Sequence, residues 1–137
     1  MNLLVIDLFE MCLELLENKI SIDEILKFEN KNGSDELLNK LKIMLKPEIF
    51  KKAIQTKMES SGGVQLMFLT GVGKAWPLLR SHSILNNLQP VLGNVPLVTF
   101  YPGKYDNYEL SLFGKFKDGN YYRAFPLINE ETSGFRE

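Results

Sequence analysis

The sequence predicts an α/β fold: a mostly parallel sheet in three layers, with helices on both faces and a C-terminal antiparallel hairpin. Three observations predict it. Short apolar runs of strand length recur along the chain, LLVIDL at 3–8, VQLMFL at 64–69 and PLVTFY at 96–101. Segments of helical periodicity separate these runs, and strands separated by helices pair in parallel through right-handed crossovers. Two further runs, 109–116 and 121–125, flank Asp118-Gly119-Asn120, whose residue types suit a hairpin turn.

The first strand runs straight into a helix that reaches about Asn18, with Leu8, Phe9, Cys12, Leu13 and Leu16 on one broad apolar face. Ser21 is placed to cap a short second helix, and Glu24 three residues later completes the capping-box pattern. After a loop at 30–33, Ser34 caps a helix over 35–45, where Leu37, Leu38, Leu41, Met44 and Leu45 fall at helical spacing. Pro47 suits the first turn of the next helix, because its missing N–H would have no intrahelical partner there. Ile49, Phe50, Ala53, Ile54 and Met58 form the buried stripe of that helix. Beyond the second strand, Thr70-Gly71-Val72-Gly73 makes a tight loop, and a helix is expected from about Trp76 or Pro77 to Leu88. Pro102-Gly103 suits a type II turn after the third strand. Residues 1–128 then form one α/β domain, and 129–137 a polar tail.

A chain of 137 residues that is 45% hydrophobic suffices for one core. No apolar run approaches the roughly 18 residues of a membrane span. Asp7, Glu10 and Glu14 interrupt the N-terminal run, unlike a signal peptide, so the expected location is the cytoplasm. With one cysteine, Cys12, and one histidine, His82, neither an internal disulfide nor the usual zinc set can form, and no metal or cofactor is expected. A formal net charge of −1 lacks the basic excess of a nucleic-acid binder, so direct nucleic-acid contact is not expected. The charge is uneven, however. From Val64 to Tyr105 there is no Asp or Glu, while Lys74, Arg80 and Lys104 give that stretch +3.

Two constellations stand out as candidate sites. Thr70, Gly71, Gly73 and Lys74 lie in a strand–loop–helix connection, the place where α/β folds hold ligands and where backbone N–H groups suit an anion. The Walker pattern fails there, because Lys74 is followed by Ala75 and the glycine spacing is wrong. The other reading is a tight turn near the sheet that needs glycine. In the helix that follows, Arg80, Ser83 and Asn87 share one side, with Trp76 in the same sector and no acid among them. Arg and Trp dominate many interfaces, so these residues are candidates for partner binding, against the alternative of an ordinary solvated face. Arg123 joins them from the C-terminal strands, where it shares a face with Tyr121 and Phe125. Nine of the fifteen aromatics lie between Phe100 and Phe125, which suits a core or a protein interface better than base stacking at a local charge of only +1.

His82 sits between Ser81 and Ser83, but sequence neighbours on a helix do not face each other as a nucleophile and its base must. The carboxylates Asp7, Asp23, Glu24, Asp35 and Glu36 stand at expected helix starts, where they complement the helix dipole. With no catalytic motif complete, the chain is not expected to be an enzyme.

Four blocks carry a resemblance: LTGVGKAWPLLRSHSILNNLQP at 69–90, FYPGKYD at 100–106, LFG at 112–114 and YYRAF at 121–125. In this order and spacing they resemble the signature of the BrxB family of BREX phage-defence systems. The resemblance implies a subunit working beside a PglZ-like phosphatase-fold protein, an AAA-type ATPase and a PglX-like methyltransferase. It brings no catalytic residues with it. Members usually carry one more strand and helix ahead of the first strand, so the chain is expected to be an N-terminally short relative or a fragment, with an exposed edge that could self-associate. The function expected is that of a non-enzymatic assembly subunit of a BREX-type complex; the alternative is a nucleotide- or phosphate-binding domain using Thr70–Lys74.

Overall fold

The computed structural model describes residues 1–105, 110–112, 116–117 and 126–127. The chain divides into two compact units, Met1–Tyr101 and Pro102–Glu137.

In the first unit, β1 (Leu3–Asp7) leads without a loop into α1 (Leu8–Glu17). Asp7 makes this abrupt change possible. Its backbone is still extended, and its Oδ1 accepts hydrogen bonds from the amides of Phe9 (2.9 Å) and Glu10 (3.0 Å), two of the N–H groups that a helix start leaves without partners. Leu8, Met11, Cys12 and Leu16 form the buried stripe of α1; Leu13, expected on that stripe, is exposed, and Met11 takes its place.

Next come α2 (Ile22–Asn32), α3 (Ser34–Met44) and α4 (Pro47–Ser61). Ser21 caps α2 as expected, accepting from the Glu24 amide at 3.2 Å. Ser34 does not cap α3. Gly33 occupies the cap position at φ 87°, and the Ser34 hydroxyl instead donates to Glu29 Oε1 at 2.8 Å. Neither α2 nor α3 buries a residue, and the two pack on each other. Pro47 does open α4, which buries Phe50 and Ile54.

The helix expected from Trp76 or Pro77 to Leu88 is displaced. After β2 (Leu66–Thr70) comes a single turn, α5 (Val72–Ala75), and the next helix, α6, spans Ser81–Leu92. Pro77 is the physical reason. Its ring disfavours helical backbone at the residue before it, and Trp76 is extended (φ −71°, ψ 137°), as is Arg80 (φ −103°, ψ 133°). The helix then continues past the expected end and takes Pro90 into its last turn. β3 (Leu97–Thr99) completes the unit.

The sheet is parallel, as expected, in the order β1-β2-β3. Leu3 to Asp7 register with Leu66 to Thr70, and Met67 to Leu69 with Leu97 to Thr99. Asn2 pins its start: the Asn2 side-chain amide donates to the carbonyls of Ser61 (2.8 Å) and Gly62 (2.7 Å) at the end of α4.

The three-layer expectation, with helices on both faces, is corrected for this unit. When two consecutive right-handed crossovers add strands in sequence order, both connections pass over the same face of the sheet. The helices accordingly share one core with Leu4, Ile6, Met67, Leu69 and Leu97, the inward residues of the three strands. Leu3, Val5, Leu66, Phe68, Val98 and Phe100 alternate to the other face and belong to no part of that core.

In the second unit, β4 (Gly103–Tyr105), β5 (Leu110–Leu112) and β6 (Phe116–Lys117) form an antiparallel sheet in that order. The expected hairpin of 109–116 with 121–125 is corrected in its first strand. That run is not one strand: Leu112 pairs with Phe116 and Ser111 with Lys117 in antiparallel register, so 110–112 and 116–117 are separate strands. The expected turn 118–120, the strand 121–125 and the tail 129–137 lie outside the described residues.

Cys12 is fully buried in the core, and burial first, then the nearby Asp7 carboxylate, push its thiol up from 9.0 to about 12. Thiolate is the reactive form. A maleimide or disulfide reagent at neutral pH should therefore leave native Cys12 unlabelled and label it fully in denaturant. Between pH 9.0 and about 12 the unfolded chain ionises this thiol while the folded chain holds it neutral, so this group should lower stability as pH rises through that window and leave it unchanged below. Alkaline urea titrations of the protein and of Cys12→Ser measure that difference.

Candidate functional site

The C-terminal end of the parallel sheet gathers the residues of interest. There β1 ends at Asp7, β2 at Thr70 and β3 ahead of Phe100, and there the β2–α6 connection must cross, because α6 starts at that end. Along this rim stand Thr70, Gly71, Gly73, Lys74, Trp76 and Arg80.

The proposed anion loop is tightly built. The half-buried Thr70 hydroxyl donates to the Ile6 carbonyl at 3.4 Å, tying β2 to β1. Gly71 adopts a left-handed conformation, φ 72°. A Cβ there would collide with Asp7 Oδ1 and stand 2.9 Å from Asp7 Cγ. The glycine is therefore required twice over, by its dihedral angle and by the carboxylate against its Cα. That carboxylate is a like charge to any phosphate approaching Gly71. Gly73 lies within the single turn of α5, half-buried, and Lys74 is exposed beside it.

The candidate partner-binding residues separate into two groups. Trp76 and Arg80 are in the connection, not on a helix face, and both are exposed. Trp76 is 39% exposed and is followed by a cis peptide bond to Pro77. Ser83 and Asn87 are on α6 and half-buried, with the Asn87 side-chain amide donating to the Ser83 carbonyl at 2.6 Å. Asn87 is thus committed to its own helix. Arg123 lies outside the described residues.

Ser83 Oγ lies 3.3 Å from His82 Nε2, closer than helical spacing suggests. His82 Nδ1 is buried and finds no partner among the described residues, so no acid orients the ring and the third member of a hydrolytic triad is missing there. Among the described residues no group of three His, Cys, Asp or Glu is placed to hold a metal ion. No helix among them is long and apolar enough to cross a membrane.

The electrostatics of the rim follow from the acid-free segment. Lys74 and Arg80 enter no ion pair among the described residues, whereas Lys57 and Glu14, outside that segment, approach to 3.5 Å. The surface that sequence reasoning missed is the outward sheet face: Val5 is 53% exposed, Phe100 49% and Leu3 43%, with Leu66, Phe68 and Val98 half-buried between them. The alternation of the strands could have shown which residues share that face. Only the strand order could show that nothing in the unit covers it.

A family model described as BREX protein BrxB matches residues 4–127. The chain belongs to the BrxB family. It is 45% identical over 128 residues to a BREX protein BrxB of Bacillus cereus (strain H3081.97), covering 90% of this chain and 65% of that protein. It is 33% identical over 123 residues to a BREX protein BrxB of Escherichia coli O9:H4 (strain HS), covering 90% of this chain and 61% of that one. The chain thus spans a little under two thirds of the length of these BrxB relatives. No solved structure matches it. The longest of the BrxB-like blocks, 69–90, coincides with the rim connection and most of α6.

A double-mutant cycle tests the Asp7–Gly71 contact. Asp7→Ala alone should cost about 1 kcal/mol through the lost cap. Gly71→Ala alone should cost about 2 kcal/mol or more, from its positive φ and the collision. Together they should cost less than the sum, since removing the carboxylate makes room for the Cβ. Urea unfolding of the four proteins gives the coupling, and strict additivity would show that the two side-chain positions do not meet.

Proposed function

We propose that the chain is a non-enzymatic subunit of a BREX-type phage-defence complex, working in the cytoplasm by binding other subunits. The observation that carries the reading is the rim itself. Lys74, Trp76 and Arg80 are each exposed along one connection in a stretch free of acids, and both cations lack ion-pair partners among the described residues. Trp and Arg are residue types enriched at interface hot spots, and an acid-free stretch is unlike an ordinary Lys/Glu-rich solvated face. Membership of the BrxB family supplies the system. The partners proposed are the PglZ-like, AAA-type ATPase and PglX-like proteins of such loci, with Arg123 as a further contact. Ser83 and Asn87 serve this surface by holding the first turns of α6 below Arg80.

The phosphate-binding alternative has less support, since α5 is one turn long and the Asp7 carboxylate lies against Gly71. Millimolar inorganic phosphate or ATP should accordingly leave the melting temperature unchanged; a rise of several degrees would restore that reading, because a ligand of the folded state must stabilise it.

Co-expression with each BREX partner followed by size exclusion is the direct test. A stable mixed peak is expected, and Trp76→Ala or Arg80→Ala should weaken it by roughly tenfold or more each. A mixed peak indifferent to both substitutions would place the interface elsewhere.

A further inference from the structure

We propose that the outward face of the β1-β2-β3 sheet, which the helices of its own unit leave bare, together with the cationic connection at the sheet's C-terminal end, seats an amphipathic helix of a partner subunit: apolar along one side and acidic at the end lying over Lys74 and Arg80. The proposal rests on the assembly reading above and deepens it by naming what the partner presents.

The apolar half of the argument comes from the strands. All-parallel sheets occur almost only with both faces covered, and helices are what cover them. The helices of the first unit take one face, and Leu3, Val5, Leu66, Phe68, Val98 and Phe100 make the other. No charge interrupts these six. Phe68 and Phe100 are fixed edge to face, their ring centroids 5.2 Å apart at 69°, which gives the patch a set shape instead of loose side chains. The Phe100 amide donates to the Leu69 carbonyl at 2.9 Å, so the aromatic at the rim end of the patch is held by the sheet itself.

The polar half comes from the connection that leaves β2 at the C-terminal end of the sheet, the same end at which Phe100 follows β3. Lys74 and Arg80 are exposed, and 64–105 contains no carboxylate to pair them. The one acid at the rim end of β1, Asp7, is engaged by its own helix cap. Carboxylates of a bound helix would therefore meet cations without displacing an existing pair. A second copy stacked face to face fits less well: it would bring the same two unpaired cations and no carboxylate from its own 64–105 segment.

The test uses the full chain co-expressed with the other BREX subunits. A photoreactive benzophenone amino acid is placed at position 5 or 100, and crosslinked peptides are identified by mass spectrometry. Both positions should crosslink to one helical segment of one partner, apolar at i, i+3, i+4 and i+7, with Asp or Glu concentrated at the end nearest position 100. Val5→Asp and Phe100→Asp should each reduce co-purification by roughly tenfold or more, as should Lys74→Glu with Arg80→Glu. Lys74 and Arg80 are exposed outside the sheet, so their variants should keep the parent melting temperature; Val5→Asp and Phe100→Asp should lower it by a few degrees at most, since they leave the core untouched, and a cooperative melt for each variant separates lost binding from lost folding. A mixed complex that survives all four substitutions, with crosslinks absent from positions 5 and 100, overturns the docking site and leaves the assembly reading standing. Crosslinks to a second copy of the chain, or to a partner segment lacking the acidic end, also overturn it. Failure of any BREX subunit to co-purify with the folded parent chain removes the assembly reading, and the docking site with it.

Discussion

Handedness constrains this fold more than any single contact. L-residues make parallel crossovers right-handed, and here three strands follow in sequence order. The helices that reach the core, α1, α3, α4, α5 and α6, are thereby sent to the same side. The core, with Ile54, Met67 and Cys12 fully buried, forms on that side alone. A reversal in strand order would have divided the helices between two faces. Without it the sheet has an inside and an outside, though its strands are apolar in both directions.

The C-terminal rim is where the same constraint becomes local chemistry. Two strands and the two helices that follow them meet there within a few ångströms, and Asp7 mediates both junctions. Its Oδ1 caps α1 while the carboxylate fills the space that any side chain at position 71 would need. Thr70 adds the cross-strand bond to Ile6. The turn that looks in sequence like a ligand loop also has a packing role, with glycine placed to admit a neighbour's carboxylate. Beyond it the chain is extended at Trp76 and again at Arg80, from which α6 starts.

Much of the fold was legible because the strongest signals are local. The three parallel strands, the Ser21 cap and the Pro47 start of α4 each follow from residue types within one turn or one strand. The errors arise where a local signal competes with another. Ser34 looks like a cap, but Gly33 can take a positive φ and Glu29 offers the hydroxyl a better acceptor. The apolar spacing of 76–88 looks helical throughout, and Pro77 excludes its first turn by constraining Trp76. The layer count could not be read at all. Leu3, Val5, Phe68 and Phe100 have the composition of buried strands, and only the three-dimensional order of the strands decides whether a second helical layer is there to meet them. For the candidate site, exposure of Trp76 and Arg80 was legible as an acid-free cluster, whereas the commitment of Asn87 to the Ser83 carbonyl depends on a rotamer that no spacing reveals.

The registers of the sheet also set an order in time. Met67 meets Leu97 across one helical connection, but Leu3 meets Leu66 only after the whole of α1 to α4. Doubling a loop adds just about 0.6 kcal/mol to its closure, so the longer wait is not chiefly thermodynamic. It comes from synthesis. The ribosome makes β1 before β2, and four helices must follow before that partner strand exists, at about 5–20 residues per second. For several seconds, by that rate, LLVID is a nascent apolar strand whose partner β2 has not yet been made.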